Sequence, residues 1–322
     1  MSLSLVSLTP AQALGIPVAL VGSVFLAVGA QLQQRGVAKV NDQTSTKRSL
    51  GIGQVLALAR RPSWLIGTVC LGLAIVFQLF SLYLAPLTVV QPLGAVALVI
   101  TAVLNARLTK VRLDAPALRA MALCVGGVGL FVAVAAVTTT SLPILEPQLL
   151  AVAIILAVVL LLLGTGFVVF RKRLTRLFYV VGAGVLFGFV ATLAKVLIGR
   201  VQTIVEAHFR LVAADWLTLA CVLGLLTAAI LGTYFVQTAY SSGSPDVVVA
   251  GLTVIDPLVG VTIGIVVLGE AAHAPLWAGI VFVVAGALAV WGVILLSRRR
   301  PRERGDAAPP SSVRSGGGRP PA

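Results

Sequence analysis

The sequence predicts an all-α polytopic membrane protein with nine transmembrane helices, on three observations. First, 59% of the 322 residues are hydrophobic, mean hydropathy is +1.07, and only 11% are charged. A water-soluble domain carries about 25% charged residues, so this chain has too few to cover a surface facing water. Second, nine apolar runs are each long enough to cross roughly 30 Å of hydrocarbon. Third, the formal net charge of +14 comes from Lys and Arg that, Lys195 apart, sit in short tracts between those runs and in the tail after them. That distribution is the signature of membrane orientation and not of a nucleic-acid partner.

The spans fall at 13–34, 63–84, 86–107, 116–138, 147–169, 178–200, 216–238, 246–268 and 275–297. The first lacks a basic leader and runs into Gln31, Gln33, Gln34 and Arg35, so it is expected to be retained and not cleaved. Spans two and three are divided at Ala85-Pro86 because their combined length far exceeds a bilayer, and Pro86 suits a first helical position. Assigning alternate loops to the two sides places 21 Lys and Arg on one side and only Arg200 and Arg210 on the other, with Lys195 inside span six. By the positive-inside rule the N-terminus is outside and the C-terminus inside. The tail from Arg298, rich in Arg, Pro and Gly, is expected to be disordered and cytoplasmic. The chain then divides into a first repeat with four helices (1–145), helix five with its basic loop (146–177), a second repeat (178–297) and the tail (298–322).

The repeat is visible directly. Leu87-Thr88-Val89-Val90-Gln91-Pro92-Leu93 returns as Leu252-Thr253-Val254-Ile255-Asp256-Pro257-Leu258, and the register 86–106 against 251–271 holds 8 identities in 21 positions. It also aligns Asn105 with Glu270. The offset carries span three onto span eight. Five spans is an odd number, so the two copies have opposite orientations, five spans followed by four. Inverted repeats of this kind recur in secondary transporters, where two pseudo-symmetric halves exchange inward- and outward-open states.

Pro92 and Pro257 lie inside their spans, where each removes a backbone hydrogen bond that lipid cannot replace. Matched interruptions of this kind point to a binding site between two halves. Asp256, beside Pro257, is a carboxylate at mid-span, where insertion costs about 3 kcal/mol unless it faces a polar interior. It is the first candidate ion ligand or proton carrier. Lys195 either extends to the interface or pairs with Asp256 across a cavity. Glu270 is expected at the water-accessible outer end of span eight, as a weaker candidate ligand. Thr88, Thr253, Gln31, Gln78, Gln91 and Gln237 add polar groups to the spans, as cavity lining or as links between helices. Several glycines, among them Gly72, Gly126, Gly184, Gly188 and Gly286, are expected to let helices approach closely. Cys70, Cys124 and Cys221 are isolated and read as packing residues. There is no phosphate-cradling GxxxxGK[ST], HExxH or CxxC sequence, so neither an enzyme nor a cofactor is expected. The expected partners are the lipid bilayer, a small cation or small organic solute, and a second copy of the chain in a homodimer.

The stretch Leu84–Ala95, LAPLTVVQPLGA, resembles the third-span region of the NIPA-type magnesium transporter family, within the drug/metabolite transporter (EamA-like) superfamily. Gly188–Gly199, GFVATLAKVLIG, is similar to that family's sixth-span signature with its intramembrane lysine. Val254-Ile255-Asp256-Pro257 resembles the partner motif in the eighth span, and Gly269-Glu270 the superfamily's "GE" ending. Gly22–Gly36 is a looser match. The resemblance implies nine spans, an outward N-terminus and transport of a divalent cation, Mg2+. Two features depart from it, Asp256 in place of a small hydroxyl residue and the Arg-rich tail. Residues and resemblance together leave three readings: a small-cation transporter, a proton-coupled exporter of an organic metabolite or drug, and a non-transporting scaffold or flippase accessory subunit. The abundance of Arg, Ala, Val and Gly suggests a GC-rich bacterium, hence a bacterial cytoplasmic membrane.

Overall fold

The computed structural model describes residues 9–43, 61–109, 114–169, 175–206, 215–241 and 245–297. Most of the basic residues behind the orientation, and the whole C-terminal tail, lie outside the described residues.

Among those residues the chain forms ten helices and no strand. They are α1 (Pro10–Gln43), α2 (Pro62–Leu84), α3 (Leu87–Leu93), α4 (Val96–Thr109), α5 (Ala115–Thr138), α6 (Glu146–Val169), α7 (Arg176–Glu206), α8 (Asp215–Ser241), α9 (Pro245–Val266) and α10 (Leu276–Ser297). Because α3 and α4 share one crossing, nine described segments are long and apolar enough to span a membrane. The protein is a multi-pass membrane protein, and a bundle of this kind is consistent in general with a membrane transporter. The outward faces of α6, α8 and α10 carry exposed leucine, isoleucine, valine and tryptophan side chains, such as Leu161, Ile230 and Trp291, as a lipid-facing surface requires.

Spans predicted from apolar runs agree with most of the helices to within a few residues; α1 runs on to Gln43 and α7 to Glu206, beyond their apolar runs, and two further differences are informative. The expected single helix at 86–107 is interrupted at Gly94-Ala95. Pro92 has no amide proton, so it cannot continue the helical ladder. Immediately after it the chain tightens into three-residue spacing, with Gly94 N donating to Gln91 O (3.2 Å), Ala95 N to Pro92 O (3.1 Å) and Ala97 N to Gly94 O (3.1 Å). The carbonyl of Leu93 accepts the Ser23 hydroxyl from α1 (3.1 Å). At the other end, Pro86 takes the N-cap position (φ −58°, ψ 149°) and not the first helical one. Ala85 is extended, and its amide closes α2 on Ser81 O.

Four packed pairs dominate: α1 on α2, α5 on α10, α7 on α8 and α7 on α9. The short α3 sits at the centre, against α9 and α5, while α6 leans on α8 and α7. Without a hydrophobic drive between helices in lipid, close approach depends on small residues. A Cβ on Gly127 would lie 2.5 Å from Ala289 N and 2.8 Å from Ala285 O, and one on Gly292 would meet Cys124 N and Ala120 O. Two backbones therefore touch at reciprocal glycines. On α7, Gly184 and Gly188 leave room for the side chains of Ile255 and Val259 of α9. The expected packing role fails for Gly72, Gly126 and Gly286, whose missing Cβ would meet nothing within 4 Å. We expect Gly127→Val to cost about 1–3 kcal/mol, the range for overpacking a tight interface, and to lower the unfolding temperature of detergent-solubilised protein. Gly126→Val, one residue away on an open face, should leave it unchanged. Equal melting of the two variants would contradict the close α5–α10 approach.

Candidate functional site

Two polar constellations lie on the seam where α3 meets its neighbours. The first closes one end of the bundle. Lys195, on α7, is 7% exposed and donates to Leu82 O (2.6 Å), Ala85 O (2.9 Å) and Ser141 Oγ (3.1 Å). Glu270, in the turn after α9, is 3% exposed and accepts from Leu87 N (2.7 Å), Thr88 N (2.8 Å) and Thr88 Oγ1 (2.6 Å). The cation thus serves the orphan carbonyls at the C-terminus of α2, and the carboxylate serves the orphan amides at the N-terminus of α3. Each charge also has the sign that the adjoining helix dipole favours. The two charges are close enough to attract each other across the Ala85-Pro86 link.

The glycines and turns around this clamp fit it. Gly269 has φ +70°, the left-handed conformation that ends α9 and sends the chain back toward α3. Glu270 N donates to Gly264 O (3.0 Å), and Glu270 O accepts from Thr140 N (3.0 Å). A Cβ on Gly264 would come within 2.8 Å of Glu270 Oε2 and 2.9 Å of Thr88 Oγ1. Gln12 and Gln148 extend the same network, donating to Thr139 O (3.0 Å) and Leu268 O (3.1 Å).

Two sequence expectations are corrected here. Lys195 is buried at the closed end of the bundle and does not hydrogen-bond Asp256; Leu82 O, Ala85 O and Ser141 Oγ hold it instead. Glu270 is buried and not water-accessible, and both its oxygens already serve α3, which leaves it ill-suited to hold a metal.

The second constellation lies deeper on the α3–α9 seam. Gly264 faces Thr88 and Gly260 faces Gln91, whose Nε2 lies 2.6 Å from the position of a Cβ on Gly260. Residue numbers rise along α3 as they fall along α9, so the two segments run antiparallel. Asp256 precedes Gly260 by about one turn on the same face of α9. Gln91 Nε2 and Asp256 Oδ1 are buried side-chain atoms with no hydrogen-bond partner. In a low-dielectric interior such groups are costly unless a ligand or a second conformation satisfies them. One is a donor and the other an acceptor. Thr253 returns its hydroxyl to Val249 O (2.7 Å) and presents no free proton.

Pro92 and Pro257 both line a cavity of about 460 Å³ between α3, α5, α9 and α10. Of the remaining candidates, Gln31 and Gln78 are half-buried on the α1–α2 pair, and Gln237 is exposed on α8, so the structure does not bring them to the α3–α9 seam. Among the described residues no group of three or more His, Cys, Asp and Glu side chains could hold a metal ion. Sequence reasoning missed Ser23, Ser81 and Ser141. Ser81 donates to Gly15 O (2.8 Å), and each of these serines resembles many helix-packing serines in sequence.

The chain is 26% identical over 289 residues to an uncharacterized protein of Corynebacterium glutamicum, covering 88% of this chain and 95% of that one. No protein-family profile matches the chain. No solved structure matches it.

Proposed function

We propose that the chain is a secondary transporter of the drug/metabolite transporter superfamily, NIPA-like, that moves a small cation through the α3–α9 seam of two inverted repeats. The observation that carries this reading is the pair of buried, unpartnered polar atoms at matched repeat positions, Gln91 Nε2 and Asp256 Oδ1. A structural core would pair them, whereas a site that loads and unloads leaves them for its cargo.

The inverted arrangement is supported by geometry. Spans three and eight, matched by the 165-residue offset, touch each other antiparallel, and spans four and nine touch as α5 and α10. A two-fold axis in the membrane plane makes repeat mates antiparallel, and mates that lie beside the axis touch, which both pairs fit. Applying the offset to the Gln91–Gly260 contact generates Ala95 opposite Asp256. On that symmetry the carboxylate faces the Gly94-Ala95 interruption of the helix. The outward N-terminus, inward C-terminus and bacterial cytoplasmic membrane complete the reading, the last supported by a bacterial relative. The clamped end would then be the outer one.

Mg2+ is the cargo that the resemblance implies. It suits a site with one carboxylate, because Mg2+ keeps several of its waters and is commonly held through one or two carboxylates. A second reading rests on the same residue: a lone Asp256 could carry one proton and drive export of an organic metabolite or drug. Purified protein in liposomes holding a Mg2+-sensitive dye separates the two. Mg2+ influx that needs Asp256 is expected. Proton movement seen only when an organic solute is supplied, without Mg2+ flux, would replace the cation reading with the exporter. No flux of either kind would sink both.

A further inference from the structure

The cavity beside the paired prolines has a composition that its neighbours on the seam do not share. No charged residue lines it, and its one hydroxyl, on Thr253, is returned to its own helix. Its floor is the ring pair Phe131–Phe282, centroids 4.8 Å apart, both nearly buried. Its mouth lies between α9 and α10, where Leu258 is 59% and Val283 is 73% exposed. Both residues belong to membrane-crossing segments, so the phase outside the mouth is hydrocarbon. Water inside would find too few polar partners to repay its lost hydrogen bonds. A hydrated cation would lose more.

We infer that this cavity is a lateral binding site for one acyl chain of a membrane phospholipid, which enters between α9 and α10 and lies against Pro92 and Pro257. At about 460 Å³ the space falls within the range of small-ligand sites. It is continuous with the lipid-facing surface of α10, so a chain already in the bilayer reaches it without crossing a polar region. Because both proline rings form its wall, the chain bears on the two points where the helical ladders are broken. Gly286 completes the wall, and its missing Cβ would meet no atom within 4 Å. A side chain there grows into the cavity and not into a neighbouring helix. The inference does not depend on what the protein transports, since its readout is lipid occupancy.

The test uses the full chain in phosphatidylcholine vesicles doped with a phosphatidylcholine whose acyl chain carries a diazirine, followed by irradiation and peptide mapping. Adducts on Phe131, Phe282 and Val261 are expected in wild type. These side chains face the cavity, and the two rings are shielded from bulk lipid. Gly286→Trp should abolish those adducts while sparing adducts on the outward Ile280 and Val284. Gly126→Trp, on an open face away from the cavity, should leave the full pattern intact. Wild-type adducts confined to outward residues would overturn the inference, and that readout stands even if the tryptophan variant fails to fold. Cavity adducts that persist unchanged in a folded Gly286→Trp variant would overturn it as well.

Discussion

Glu270→Ala is expected to destabilise the protein by about 3–5 kcal/mol, the scale for breaking a buried, hydrogen-bonded charge pair. The substitution strands two backbone amides and the Thr88 hydroxyl at the buried start of α3. It also leaves the Lys195 ammonium without its nearby counter-charge. Lys195→Met should cost a similar amount, since it strands Leu82 O and Ala85 O. Removing both charges should cost less than the sum of the single losses, because neither then lacks its counter-charge. Thermal unfolding of the two single variants and the double in one detergent measures this directly. Single losses below about 1 kcal/mol, or strictly additive ones, would refute the clamp as an electrostatic unit.

Asp256→Asn should do the opposite, abolishing transport without loss of stability. Oδ1 makes no hydrogen bond in the protein, so the substitution removes no native interaction of that atom. It also removes a charge that is expensive to hold within a membrane span. The melting temperature should therefore hold or rise while flux in liposomes falls to that of empty vesicles. Normal flux in Asp256→Asn would remove Asp256 from the mechanism. A large drop in melting temperature would instead recast it as a structural residue. Set against Glu270→Ala, this contrast separates two carboxylates that look alike in the sequence.

The nine spans were legible because lipid demands long apolar runs and tolerates little else. Prolines also read truly: Pro86 marks the link between two spans, and Pro92 breaks the one that follows. The break itself at Gly94-Ala95 was not foreseen, since a proline says where an amide is missing but not how the next turn recovers. Lys195 and Glu270 were recognised as unusual, but Lys195 was read as reaching the interface or pairing with Asp256, and Glu270 as facing water. Apart from the Ser141 and Thr88 hydroxyls, their partners are main-chain carbonyls and amides, which nearly every residue carries and no sequence pattern announces. Burial of Glu270 was hidden for the same reason, because Gly269 turns the chain inward through its φ and not through its chemistry. Gly126 and Gly286 show the converse limit. They share their residue type with Gly127 and Gly292, and only helix rotation tells an open face from a tight one.

The link at Ala85-Pro86 bears on how the chain is made. Spans two and three are separated by two residues, Ala85 and Pro86, and are synthesised one after the other as a tight hairpin. At that moment the carbonyls of Leu82 and Ala85 and the amides of Leu87 and Thr88 have no permanent partners. Lys195 is synthesised 110 residues after Ala85, and Glu270 183 residues after Leu87. The hairpin tip is therefore provisional through most of synthesis and is locked only as the eighth crossing is completed. A ribosome stalled before residue 270 should present a tip still open to protease or to thiol reagents at an engineered cysteine, and release of the full chain should close it.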